Sequence, residues 1–158
     1  MSIWWSLHLR REAASVPLAR RLLMGTMETA GVDPEISYDL SLALSEACAN
    51  AVEHGGTAAP GEPGGPDGES PAAYRVTAYL DGETCRIEVA DTGPGFARPR
   101  GRIRSPQVSP DAESGRGLGL IEELADHVRI RNRPGRAGAV VSFDKMLKWR
   151  EGAPLVVT

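Results

Sequence analysis

The chain has few cysteines, few lysines and no long apolar run, and each shortage removes a class of answer. Cysteine occurs twice, as Cys48 and Cys85. Two thiols in segments of different pattern exclude a disulfide framework or a Cys-x-x-Cys metal site; both read as small buried apolar residues in a reducing cytoplasm. Lysine occurs only at Lys145 and Lys148, which removes a phosphate loop spelled Gly-Lys-Ser/Thr. No apolar stretch reaches the ~18 residues of a membrane helix. The opening MSIWWSLHLRR carries its basic residues after its apolar part, the reverse of a secretory signal. Three scattered histidines leave His54 as a helix-end residue rather than a metal ligand. A net charge of -3 gives no footing for nonspecific nucleic-acid or membrane binding. At 158 residues the chain is most simply one globular domain with its own core.

Periodicity places the elements. Ile3, Trp5, Leu7 and Leu9 alternate with Trp4, Ser6 and His8, as in a half-buried strand. Val16, Ala19, Leu22, Leu23 and Met27 then recur at helical spacing up to a stop near Gly31. Asp33-Pro34 starts a second helix, with Ile36, Leu40, Ala43, Leu44, Ala47 and Ala51 on one face and Gly55-Gly56 as its close. Residues 56–73, rich in Pro and Gly, cannot make a core and read as a long mobile loop. Tyr74, Val76, Ala78 and Leu80 alternate, Asp81-Gly82 suggests a type I′ turn, and Cys85, Ile87 and Val89 alternate on the return. Loop character resumes over 97–114; LGLIEELADH reads as a short helix, and VRIRN, a Pro134-Gly135 turn and AVVSFDKM as a last pair of strands. The expected architecture is an α/β (α+β) two-layer sandwich: a mixed, mostly antiparallel sheet with helices on one face.

Three short stretches carry the candidate chemistry. In ESGRGLGL, Gly115, Gly117 and Gly119 bare their backbone amides ahead of a helix, a setting for phosphate or simply a hinge. A Rossmann fingerprint is excluded, since Leu120 stands where it needs glycine. In LSEACANAVEHG, Glu46 and Asn50 lie one helical turn apart. A carboxylate there can take a proton and an amide oxygen can bind Mg²⁺, although two polar residues at a helix margin are also simply a solvated edge. In VADTGPGF, Asp91 ends a strand ahead of Gly93, Pro94 and Gly95. It either caps a turn or offers a carboxylate to an exocyclic amine.

Taken in order, ExxxN on a helix, DxGxG after a strand and GxGxG before a helix resemble the N, G1 and G2 boxes of the GHKL (Bergerat-fold) ATPase/kinase superfamily. The lack of fused domains is most similar to the anti-sigma factor serine kinase family, and the resemblance runs from about Trp5 to Lys148. It implies ATP and Mg²⁺ as cofactors. Asp91 would bind the adenine amine, with Gly93 and Gly95 shaping the base pocket. Asn50 would hold Mg²⁺ against the phosphates. Gly115, Arg116, Gly117, Leu118 and Gly119 would close a lid, spanning 97–117, over them. Glu46 would be the general base for the serine of an anti-sigma factor antagonist. The implied protein is a cytoplasmic, homodimeric serine/threonine kinase, of one ATP-binding domain over 1–150 and a tail over 151–158. It would contact an antagonist and possibly a sigma factor, but no nucleic acid or membrane. A non-catalytic ATP-dependent binding module and a slow ATPase are the alternatives; Glu46 favours catalysis without separating serine from water as acceptor. One departure stands out: the family usually has Gly-Thr entering the last strand, where this chain has Gly138-Ala139, and Ser142 could replace the hydroxyl only with a shift of register. Trp4, opposite Trp5, should be left off the core.

Overall fold

The computed structural model describes residues 2–54, 73–91, 118–132 and 138–150. Strand β1 (Ile3–Arg10) turns Ile3, Trp5, Leu7 and Leu9 toward the core side and leaves Trp4 59 % exposed. Helix α1 (Ser15–Ala30) buries Ala19, Leu23, Met27 and Ala30. It ends at Gly31, whose φ of 93° a Cβ would oppose and whose N–H bonds back to Met27 and Glu28 carbonyls. Leu22, expected on the buried stripe, is instead exposed. It sits ~100° round from Leu23, and among the described residues α1 packs chiefly against α2.

Helix α2 (Pro34–His54) begins where the Asp33 carboxylate accepts the Glu35 N–H at 2.8 Å. Ile36, Leu40, Ala43, Leu44, Ala47 and Ala51 are all buried, as the spacing predicts. The Gly55-Gly56 close lies outside the described residues, as does nearly all of the 56–73 segment, but Ala73 already belongs to β2.

Strands β2 (Ala73–Leu80) and β3 (Thr84–Asp91) form the expected hairpin, with Tyr74, Val76, Ala78, Leu80, Cys85, Ile87 and Val89 buried. The turn differs. Leu80 pairs with Cys85 across four residues, and Gly82 does not have the positive φ that type I′ demands. Instead the Asp81 carboxylate accepts the N–H groups of Glu83 at 2.7 Å and Thr84 at 2.8 Å. These bonds favour the charged form and lower the Asp81 pKa.

Helix α3 (Leu118–Leu124) is shorter than the sequence suggests. The Asp126 N–H donates to the Asp144 carbonyl and His127 opens strand β4 (His127–Asn132), so ladder bonds end the helix before ADH. The His127 imidazole lies 2.9 Å from the Asp144 carboxylate, which raises its pKa, so the charged pair is retained on the acid side and lost as pH rises. The Pro134-Gly135 turn lies outside the described residues; strand β5 (Ala139–Met146) follows it.

The sheet order is β1-β2-β3-β5-β4, and every neighbouring pair is antiparallel. A mixed sheet was the expectation. β3 and β4 do point the same way across a helical crossover, but β5 inserts between them, so no neighbours are parallel. α2 lies against α1, α3 and the sheet, around a core that includes Phe143, Leu23, Leu40, Leu44 and Ile121. After β5 the chain is tied back by the Asp33 N–H to the Lys148 carbonyl, and by the Arg150 N–H to the Gly31 carbonyl.

Candidate functional site

Strand pairing sets a row of side chains at one end of the inner sheet face. Leu9 faces Tyr74, Tyr74 faces Asp91, and Ala139, the residue bonded to Asp91, faces Asn132. A row that begins as ordinary core therefore passes into polar groups.

Asp91 ends β3 on the face that buries Cys85, Ile87 and Val89, and it is itself 6 % exposed. A carboxylate at that depth needs hydrogen bonds to offset lost hydration. The Ala139 N–H donates to its Oδ1 at 3.3 Å. Gly138, at φ 134°, allows the chain to enter β5 with that amide turned toward Asp91. Alanine at 139 keeps this backbone contact and offers no hydroxyl beside it. Ser142 cannot replace it: Ser142 pairs with Glu88, so it lies on the opposite sheet face from Asp91.

On α2, Glu46 is half-buried and Asn50 is 5 % exposed, one turn further on. The Asn50 Nδ2 atom is buried without a hydrogen-bond partner. An orphaned buried polar atom costs roughly 1–3 kcal/mol, and the ends of an amide exchange by a flip of the group. The Asn50 amide is therefore a buried polar group available to a ligand. Its neighbours Ala47 and Ala51 pack into the core, which fixes the helix but satisfies nothing on Asn50. His54 follows at the helix end, 3.9 Å from Glu53.

Leu118 and Gly119 open α3, which packs along α2. The Leu118 side chain packs partly on the core, so its first-turn backbone amide is what it can offer a ligand. A Cβ built on Gly119 would meet nothing within 4 Å, so packing gives no reason for glycine there. Gly93, Gly95, Gly115, Arg116 and Gly117, with the 97–117 lid, lie outside the described residues.

Two features escaped the sequence. The Ala139 amide has no side-chain signature at all. Tyr74 was legible only as one inward residue of an alternating strand, yet it stands directly opposite Asp91. A tyrosine on the inner face must find a hydroxyl partner, and that was the available signal.

The histidine kinase-like ATPase domain family model matches residues 9–145. A serine-protein kinase RsbW from Bacillus pumilus is 34% identical over 134 residues, covering 81% of this chain and 78% of its own. The RsbW of Listeria innocua is 31% identical over 159 residues, covering 97% and 95%. Among solved structures, the RsbU and RsbW domains of a Mycobacterium tuberculosis protein superpose with a TM-score of 0.63 at 23% identity. That match covers 99% of this chain but only 34% of the longer one. The SiaB-SiaC complex from Pseudomonas aeruginosa gives 0.52 at 15% identity, covering 90% and 89%. At such identities the structural likenesses speak for the fold.

Proposed function

The chain belongs to the histidine kinase-like ATPase family, among relatives of the serine-protein kinase RsbW, and from that premise we propose that it is an ATP-dependent protein serine kinase acting on an anti-sigma factor antagonist. The observation that carries the reading is Asn50: a buried amide with an unpartnered atom, one turn beyond a half-buried carboxylate. Such a group detracts from stability in the free protein, and a ligand reaching it would give it the partner it lacks.

The residues present fit Mg-ATP. Asp91 accepts a hydrogen bond from the adenine amine while the Ala139 N–H holds its other side in place. Gly93 and Gly95 border the base. The Asn50 oxygen is the protein ligand for Mg²⁺, which supplies neutralising charge to the phosphates when bound. Among the described residues no group of three or more His, Cys, Asp or Glu is placed to hold a metal. Gly115, Arg116, Gly117, Leu118 and Gly119 close over the phosphates through backbone amides. Glu46 takes the proton of the acceptor serine as the hydroxyl oxygen forms its bond to the γ-phosphorus, and the bond to the β,γ-bridging oxygen breaks to release ADP.

The test uses γ-labelled Mg-ATP and the cognate antagonist. Binding heat, a raised Tm from ligand linkage and label on an antagonist serine are expected. Label released only as phosphate would make the protein an ATPase, and binding without either would make it a nucleotide-gated binding module. Neither heat nor thermal shift at millimolar Mg-ATP overturns the reading. No helix among the described residues is long and apolar enough to cross a membrane. A cytoplasmic place of action and contact with a sigma factor belong to the same proposal.

The proposal extends to a twofold homodimer through the β1 region. Among the described residues β1 is an edge strand, and the Trp4 ring lies 6.2 Å from that of Tyr79, tilted 52° to it; Tyr79 is itself 43 % exposed and under the Arg86 guanidinium. An edge strand with an exposed aromatic pair is suited to a self-complementary contact. Trp4→Glu is expected to yield monomers by light scattering that bind ATP as the wild type does. A wild type that is monomeric at tens of micromolar removes the dimer and leaves the kinase reading standing.

A further inference from the structure

Helix α1 carries two faces, and the core accounts for only one of them. Ala19, Leu23, Met27 and Ala30 are buried. Leu18, Leu22, Gly25 and Thr29 recur at i, i+4, i+7 and i+11, the spacing of a second helical face. All four are exposed, Leu18 by 52 % and Leu22 by 40 %. Between this face and the start of β1 runs an open groove of about 440 Å³, lined by Ile3, Arg21, Leu22, Gly25, Thr26 and Thr29.

Gly25 is the telling residue of that lining. Glycine inside a helix is destabilising, and it serves where another backbone must come close. A Cβ at Gly25 would meet nothing within 4 Å, so nothing among the described residues requires glycine there. Thr26 is already committed. Its hydroxyl donates to the Leu22 carbonyl at 2.9 Å and accepts the Trp5 indole N–H at 3.2 Å. Arg21 and Thr29 have donors to offer the carbonyls of an extended segment.

The chain itself supplies such a segment. Val32 and Trp149 pair antiparallel, so the chain reaching Arg150 heads back toward α1. The Arg150 N–H donates to the Gly31 carbonyl at 2.9 Å, and its guanidinium to the Glu28 carbonyl at 3.1 Å. Ile3 lies at the same end of the molecule. Its partner Leu80 precedes the turn whose Gly82 carbonyl accepts the Trp149 indole N–H. Past Arg150 the sequence reads EGAPLVVT, with Leu155, Val156 and Val157 as large apolar side chains. From Gly31 back to Leu22 is ~14 Å along the helix. Five extended residues past Arg150 span up to ~17 Å, which brings Leu155 level with Leu22.

We propose that residues 151–158 dock in this groove, antiparallel to α1, with Leu155 against Leu22 and the backbone passing over Gly25. The docked segment covers the second face of α1 and straps that helix to β1. Nucleotide binding does not enter, and failure here leaves the kinase reading untouched.

A double-mutant cycle on the full chain tests the contact. Leu155→Ala is expected to lower Tm by about 3 °C in the wild type, and by less than about 1 °C when Leu22→Ala is already present. Leu22 is exposed, so its truncation does not threaten folding. Equal losses in the two backgrounds, or no loss in either, overturn the docking. Cross-linking then identifies the occupant. Gly25→Cys with Leu155→Cys is expected to form a disulfide within one chain about tenfold faster than Arg20→Cys with Leu155→Cys, since Arg20 lies on another face of α1. The native thiols do not compete, because burial pushes Cys48 and Cys85 up to about 12. Links formed only between chains assign the groove to a second copy, and equal rates for the two pairs mean that the segment is not seated in it. Either result overturns the proposal.

Discussion

Asp91→Asn is expected to weaken ATP binding by about a hundredfold, the scale of losing a hydrogen bond to a charged group, while the protein stays folded. The asymmetry of the site is the reason. Asp91 Oδ1 accepts the Ala139 N–H, and an asparagine oxygen can retain that bond. Its Nδ2 then occupies the place of the second carboxylate oxygen and faces the adenine amine, donor against donor. A flip would satisfy adenine only by setting the amide against the Ala139 N–H instead. Asn has nearly the shape of Asp, so Tm without ligand should move little and the thermal shift with Mg-ATP should nearly vanish. Calorimetry showing affinity within about threefold of wild type, a difference too small for a lost charged hydrogen bond, would remove Asp91 from base recognition.

Much of the fold was legible because burial here is one-sided. In β1, β2 and β3 the residues expected inside are those turned to the helices, since a strand's period of two leaves only that choice. The errors arose where a local rule met tertiary context. Asp81-Gly82 has the letters of a type I′ turn, but the Asp81 carboxylate organises a longer loop by taking the amides of Glu83 and Thr84. Leu22 has the spacing of a core residue, but it lines an open groove beside Ile3 of β1 rather than the sealed core. The ADH end of the supposed third helix is claimed by β5 through Asp144, a partner no local window contains.

The site divides along the same line. Glu46 and Asn50 were legible because helical geometry alone stacks them, and Asp91 because a strand end can be read from alternation. How deeply Asn50 and Asp91 lie was not, since depth depends on what α3 and β5 place over them. The loss of a threonine at Ala139 looked like a missing contact. The Ala139 N–H still reaches Asp91, since a backbone amide does not depend on the residue chosen, while no hydroxyl stands there. The hydroxyl contact between Ser15 and Tyr74 joins segments 59 positions apart, and only the packed layers bring the two together.

Glu46→Gln should leave ATP affinity within about twofold of wild type and lower phosphotransfer by about 10²–10⁴-fold, the range over which a positioned general base acts. Glutamine preserves the length and polarity of a half-buried side chain, so neither α2 nor Asn50 beyond it should move. What it removes is the capacity to accept the serine proton as the hydroxyl attacks. The pairing of intact binding with lost transfer separates a base from a residue that only shapes the pocket, which would lose both together. It also distinguishes acceptors. If Glu46 serves the antagonist serine, phosphate release without antagonist is low in the wild type and the substitution hardly alters it. If water is the true acceptor, that release is substantial in the wild type and falls by the same factor as transfer. Phosphorylation of the antagonist at the wild-type rate by the Glu46→Gln protein would show that the proton leaves by another route, and would return Glu46 to the solvated edge of its helix.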